Sequence, residues 1–119
     1  MNNDSHSLEH LLDLDGFIAE VGGGFWVKIE ARRLRASLSK PHGIDYSLTL
    51  HSANGQRLLG YDNAHPVRTG RGPAGKRQAP YDHRHRGDAV KSYVYESAEK
   101  LLEQFWADVD RILRESGVL

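Results

Sequence analysis

Leu48-Thr49-Leu50-His51-Ser52-Ala53-Asn54-Gly55-Gln56-Arg57-Leu58-Leu59-Gly60-Tyr61, residues 48–61, is the stretch on which the fold turns. Asn54-Gly55 is the preferred pair for a two-residue hairpin turn, because both residue types tolerate positive φ. Counting outward from it pairs Leu50 with Leu59 and Leu48 with Tyr61. Both pairs fall on one face, as a buried side requires. The same register sends Ser47, Thr49 and His51 to the opposite face, together with Asp62. An antiparallel hairpin with one apolar and one polar side is therefore expected at the centre of the chain.

The flanking segments extend the sheet. Phe25, Val27, Ile29 and Ala31 alternate with Trp26, Lys28, Glu30 and Arg32, the pattern of a half-buried strand. Residues 17–21 (FIAEV) read as a short strand before Gly22-Gly23-Gly24, and Val90 to Tyr95 regains strand character. Ser97 is placed to cap a helix, with Glu99 in its first turn where the helix dipole favours an acid. Leu101, Leu102, Phe105, Trp106, Val109, Ile112 and Leu113 then form an apolar stripe at helical spacing, ended by Gly117. The expected fold class is α+β, an antiparallel sheet of about five strands packed against one long C-terminal amphipathic helix. Residues 1–119 read as one domain. Residues 1–10 are expected to fray, and 7–14 either form one helical turn or run straight into a strand. Residues 64–88 read as a long basic loop.

Composition narrows the function. The 119 residues contain no cysteine, which excludes disulfides, thiolate metal sites and cysteine nucleophiles. No apolar run approaches the ~20 residues of a membrane span, and the start of the chain lacks a signal-peptide pattern. A cytoplasmic protein without membrane contact is expected. The formal charge is zero, but residues 1–24 hold five acids and no Lys or Arg, whereas residues 66–88 hold six basic and two acidic side chains. Such a polarised chain can steer an anionic ligand toward its middle, or can simply present a solvated charge pattern.

Three clusters could hold chemistry. The first is Tyr61-Asp62-Asn63-Ala64-His65 at the exit of the hairpin. The second is Tyr81-Asp82-His83-Arg84-His85-Arg86, and the third is the polar sheet face with Lys28, Glu30, Arg32 and His51. One neutral imidazole can take a proton from an attacking hydroxyl while a second, protonated, gives one to the leaving oxygen. On RNA the 2′-hydroxyl is the nucleophile, so this chemistry needs no cofactor. His83 and His85 are the candidate acid and base, with Asp62 or His65 orienting them. Arg84 and Arg86 are candidates to hold phosphate oxygens, with Lys28, Arg32, Asn63 and Tyr81 as further substrate contacts. In extended chain His83 and His85 share one side, and Asp82, Arg84 and Arg86 the other.

Other readings use the same residues. His83 and His85 with Asp62 or Asp82 could ligate a divalent cation as a facial triad, which would make a metal-dependent hydrolase. The segment Gly70-Arg71-Gly72-Pro73-Ala74-Gly75-Lys76-Arg77 lacks the G-x-x-x-x-G-K-[ST] pattern of a phosphate-binding loop, yet could track a nucleic-acid backbone. The chain would then be a non-enzymatic module binding nucleic acid or protein. The histidines could also be plain loop residues, and Asp62-Asn63 an Asx turn.

The strip around Leu11-Leu12-Asp13-Leu14-Asp15-Gly16, the strand GFWVKIEARRLR, the phrase GIDYSLTLH, then GYDNAH, YDHRHR and the tail LLEQFWADVDRIL resemble the TumE-type toxin family of bacterial toxin–antitoxin modules. The likeness runs from about residue 11 to the end. It implies a small cytoplasmic toxin whose growth inhibition is neutralised by a helix-turn-helix antitoxin. The matching polar positions are Lys28, Glu30, Asp62, Asn63, His65, Asp82, His83 and His85. A Gly- and Arg-rich insert, residues 67–79, departs from shorter relatives. Exposed sheet edges are compatible with a homodimer.

Overall fold

In the computed structural model, which describes residues 3–38, 42–63 and 82–119, a helix α1 (Asn3–Asp13) precedes six strands and a final helix α2. The strands are β1 (Phe17–Gly22), β2 (Phe25–Arg33), β3 (Ile44–His51), β4 (Arg57–Asp62), β5 (His83–Arg86) and β6 (Ala89–Ser92), and α2 spans Ala98–Glu115. They form one antiparallel meander in the order β1-β2-β3-β4-β5-β6. The α+β class and the C-terminal helix match the sequence reading. Among the described residues the strand count is six rather than about five. The extra strand is β5, cut from the segment expected to be loop, and β6 ends at Ser92 rather than Tyr95.

Alternation along the strands sorts the side chains. Val27, Ile29, Ala31, Ile44, Tyr46, Leu48, Leu50, Leu59 and Tyr61 line one face and are buried. Against them packs α2 through Ala98, Leu101, Leu102, Phe105, Val109, Ile112 and Leu113. Ser97 caps that helix, its Oγ accepting from the Lys100 N–H at 3.1 Å. Trp106, expected as a core anchor, is more than a third exposed. It falls one residue past Phe105 and so off the buried stripe. The N-terminus differs from a frayed start. Residues 3–13 are helical because Leu8, Leu11 and Leu12 share a face at i, i+3 and i+4 spacing, and Leu11 is fully buried in the core.

The central hairpin has the expected register, Leu50 opposite Leu59 and Leu48 opposite Tyr61, but not the expected turn. The Gly55 N–H donates to the Ser52 carbonyl, so Ala53 and Asn54 occupy the centre. Asn54 keeps a negative φ, and Gly55 alone takes φ +91°. This turn pairs His51 with Arg57 and is compensated by a bulge between that pair and Leu50–Leu59. The bulge has a functional consequence. It turns Arg57 to the same side as His51, whereas strict alternation from Leu59 would bury it.

Candidate active site

The face of the sheet opposite α2 carries the candidate residues Asp62, His83 and His85. Register aligns Glu30, Ser47, Asp62, His83 and Ser92 in one row across β2 to β6, and Lys28, Thr49, Gly60, His85 and Val90 in the next. Asp62 and His83 are therefore directly opposite, while His85 faces Gly60. A Cβ on Gly60 would lie 3.7 Å from His85 Cδ2 and 3.6 Å from Arg57 Cδ. The imidazole thus leans across the bare backbone and reaches Asp62 on the diagonal.

β5 exists because of what ends it. Gly87-Asp88 closes a two-residue turn between Arg86 and Ala89, with Gly87 at φ +58°. A Gly-Asp dipeptide between extended runs is a hairpin signal, and it would have found this strand in the sequence.

One carboxylate serves both rings. Asp62 Oδ2 lies 3.0 Å from His85 Nε2, and Asp62 Oδ1 lies 3.6 Å from His83 Nδ1. The remaining nitrogens, His83 Nε2 and His85 Nδ1, are buried and have no hydrogen-bond partner among the described residues. In a neutral imidazole only one nitrogen carries a proton. With the His85 N–H directed at Asp62, its Nδ1 is a bare lone pair, whereas at 3.6 Å His83 Nδ1 stands just beyond hydrogen-bond reach of the carboxylate. Burial lowers the His85 pKa, opposed by Asp62 and assisted by the charges of Arg57 and His83. The lowered value favours the neutral, basic form of that ring.

Not all the expected residues join this pair. Alternation sends Arg84 and Arg86 to the helix side of the sheet. Arg84 Nε donates to Asp108 Oδ2 at 3.0 Å and to Tyr61 Oη at 3.1 Å, and the Arg86 guanidinium pairs with Glu115 at 2.7 Å. Neither stands beside the histidines. Asp82, the alternative carboxylate, accepts from the Tyr46 hydroxyl at 2.7 Å. The carboxylate beside the two histidines is Asp62, and these three residues form a candidate triad. Asn63, expected at the substrate, is fully buried and continues the ladder where β4 ends. Its Oδ1 accepts from the Tyr46 N–H and its Nδ2 donates to the Ile44 carbonyl, both at 2.9 Å. Lys28 lies on the histidine face, in the His85 row, 3.8 Å from Glu30. Arg32 pairs in register with Asp45, beyond the end of β4. His65 and Tyr81 fall outside the described residues.

Arg57 is the functional candidate that periodicity missed. It is exposed, reaches over Gly60 toward His85, and is placed there by a bulge that no two-residue period reveals. Beyond it, Trp26 and His51 stack with centroids 4.0 Å apart and an interplanar angle of 10°, and His51 Nε2 meets Thr49 Oγ1 at 2.9 Å.

Across the sheet, a cleft is lined by Tyr61, Arg84, Tyr93, Gln104, Asp108 and Arg111. Its charges are mutually satisfied. Asp108 receives Arg84, Arg111 and the Tyr61 hydroxyl. Burial alone would raise the Asp108 pKa, but hydrogen bonds from Tyr61 and Arg84 and the arginine charge hold it below the ordinary carboxylate range. The Tyr61 hydroxyl, buried and bonded to Asp108, is pushed up to about 12. This cluster ties β4 and β5 to α2.

The family model described as Toxin TumE matches residues 11–113. The chain belongs to the TumE toxin family. That match runs from the last turn of α1 through every described strand and nearly all of α2, so Asp62, His83, His85 and the Asp108 cluster all lie within the TumE region. Neither the comparison with curated proteins nor that with solved structures gives a match. Membership in a toxin family implies an antitoxin partner. None of the described helices is long and apolar enough to cross a membrane.

Proposed function

We propose that this TumE family member is an RNA-cleaving toxin that uses paired imidazoles without a metal ion. A single observation carries the reading. Asp62 lies 3.0 Å from His85 Nε2 and 3.6 Å from His83 Nδ1, and His83 Nε2 and His85 Nδ1 have no hydrogen-bond partner among the described residues. A carboxylate that fixes a ring's tautomer and leaves the far nitrogen basic is the arrangement that activates hydroxyl nucleophiles.

In the proposed step the neutral imidazole of His85, the more exposed of the two rings, takes the proton of an RNA 2′-hydroxyl. The O2′–P bond forms as the P–O5′ bond breaks, and protonated His83 delivers a proton to the departing 5′-oxygen. The products are a 2′,3′-cyclic phosphate and a 5′-hydroxyl end, and the rings exchange their protons with water. Arg57 and Lys28, on the same face, supply positive charge to the phosphate in place of Arg84 and Arg86. The toxin acts in the cytoplasm, is neutralised by a helix-turn-helix antitoxin, and has its outer strands β1 and β6 available for self-association.

Purified protein incubated with total RNA in EDTA tests the reading. Cleavage is expected in wild type and a loss of at least about 100-fold in a His83→Ala/His85→Ala variant. Intact RNA with wild type, or undiminished cleavage by the variant, overturns it. In cells, toxicity that survives the histidine substitutions but is abolished by reversing loop charges would favour binding over chemistry.

A further inference from the structure

The two imidazoles proposed for proton transfer and the carboxylate beside them also have the donor set of a metal site. Asp62, His83 and His85 each direct one ligand atom into a common space, and these atoms lie within 4.8 Å of one another. The Asp62 oxygens stand 3.0 Å from His85 Nε2 and 3.6 Å from His83 Nδ1. Around an ion with bonds of about 2.0–2.2 Å, neighbouring donor atoms sit about 3.0–3.5 Å apart. The observed spans are near those of a coordination sphere, and small imidazole rotations complete it. Two imidazoles and one carboxylate suit zinc and its first-row neighbours, whereas magnesium and calcium prefer all-oxygen shells.

We propose that this triad is a divalent transition-metal site, with zinc as its fitting ion, and that occupancy silences the proton-transfer chemistry. The silencing follows from tautomers. In the proposed metal-free form an N–H of each ring points toward Asp62, and the far nitrogen of the base, His85, is bare. An ion between the rings takes the place of those N–H protons and bonds to His85 Nε2 and His83 Nδ1. Each neutral ring must then carry its proton on the far nitrogen, which becomes a donor and can no longer act as a base. The same carboxylate that orients the base therefore orients the metal. The control would be reversible and set by the free concentration of the ion.

This inference rests on the RNA-cleavage reading only for its effect, since the binding site stands on geometry alone. The test has two arms. In the first, metal-free full-length protein is titrated with zinc by calorimetry and with cobalt(II) by visible absorption, using wild type, His85→Ala, Asp62→Ala and His51→Ala. One ion per chain, a cobalt ligand-field band and at least a tenfold weakening in the His85 and Asp62 variants but not in His51→Ala are expected. Magnesium alone is expected not to bind. In the second arm, RNA cleavage is followed as zinc is added, with a fall that tracks occupancy and recovery on adding EDTA. Absence of binding, or binding that ignores both triad substitutions, overturns the site. Binding that leaves cleavage unchanged or raises it overturns the silencing. A wild-type protein that never cleaves RNA fails the functional reading, while the first arm still decides the site.

Discussion

Asp62 and His85 meet at 3.0 Å although they are diagonal rather than opposite neighbours across the β4–β5 ladder. His85 lies over Gly60, where an added Cβ would touch its Cδ2 at 3.7 Å, on a strand that brings alternate histidines to one face. Asp62 can thereby hold His85 while remaining opposite His83.

The orientation supplied by Asp62 is the first quantity to measure. Asp62→Asn keeps the size of the side chain but removes the charge and can present an N–H to the rings. The rate of RNA cleavage is expected to fall about 10²–10⁴-fold, with the far-ultraviolet circular dichroism spectrum unchanged. A rate within threefold of wild type would remove Asp62 from the mechanism.

Arg57 and Arg86 provide a contrast between two cations on opposite faces. Arg57→Ala is expected to weaken RNA binding and to reduce its salt dependence by about one phosphate contact. Arg86→Ala, which breaks the exposed pair with Glu115 on the helix side of the sheet, is expected to do neither. Fluorescence anisotropy with a 2′-deoxy oligonucleotide, which binds without being cut, reads both. Equal losses from the two substitutions would contradict the placement of the substrate on the histidine face.

The Asp108 cluster predicts a stability difference that distance alone would not. Asp108→Ala leaves the Arg84 guanidinium and the Tyr61 hydroxyl without their shared acceptor, and both groups are largely shielded from water. The expected cost is about 2–3 kcal/mol in urea unfolding. Asp110→Ala breaks an ion pair of similar length, 2.8 Å to Arg114, on the exposed side of the same helix. Solvent screens that pair, and no measurable change is expected.

The sheet meander was largely legible in the sequence because burial is one-sided. Leu48, Leu50, Leu59 and Tyr61 could satisfy the core in only one register, so the pairing was right even though the turn was drawn at the wrong residues. β5 was hidden because its strand face is made of His83, Arg84, His85 and Arg86, without the apolar alternation that marks a strand. The pairing of His83 and His85 with Asp62 was legible from the strand period once the segment was taken as extended. Arg57 was not, because a bulge shifts the face of a side chain without changing its neighbours in sequence. Asn63 misled for a different reason: an amide that replaces backbone at a strand end looks the same in sequence as one that binds substrate.

His51 predicts how stability responds to acid. Burial lowers its pKa, the Gly55 carbonyl opposes this, and the charges of Arg57 and Lys28 add to the lowering. The unfolded chain takes up a proton near the ordinary histidine value of about 6.5, while the folded chain resists until a lower pH. The contribution of His51 is therefore full above about pH 6.5 and declines as pH falls through that value toward the folded pKa. Urea midpoints at pH 7.5 and 5.5 should fall with acid in wild type, and the fall should be smaller in His51→Gln. A steeper fall in the variant would reverse the sign.

The identity of the RNA ends produced by purified protein tests the central claim most directly. In EDTA, the wild-type protein should leave 2′,3′-cyclic phosphate and 5′-hydroxyl ends, and His85→Ala should leave the RNA intact. Ends carrying 3′-hydroxyl and 5′-phosphate, formed only when a divalent metal is supplied, would contradict it.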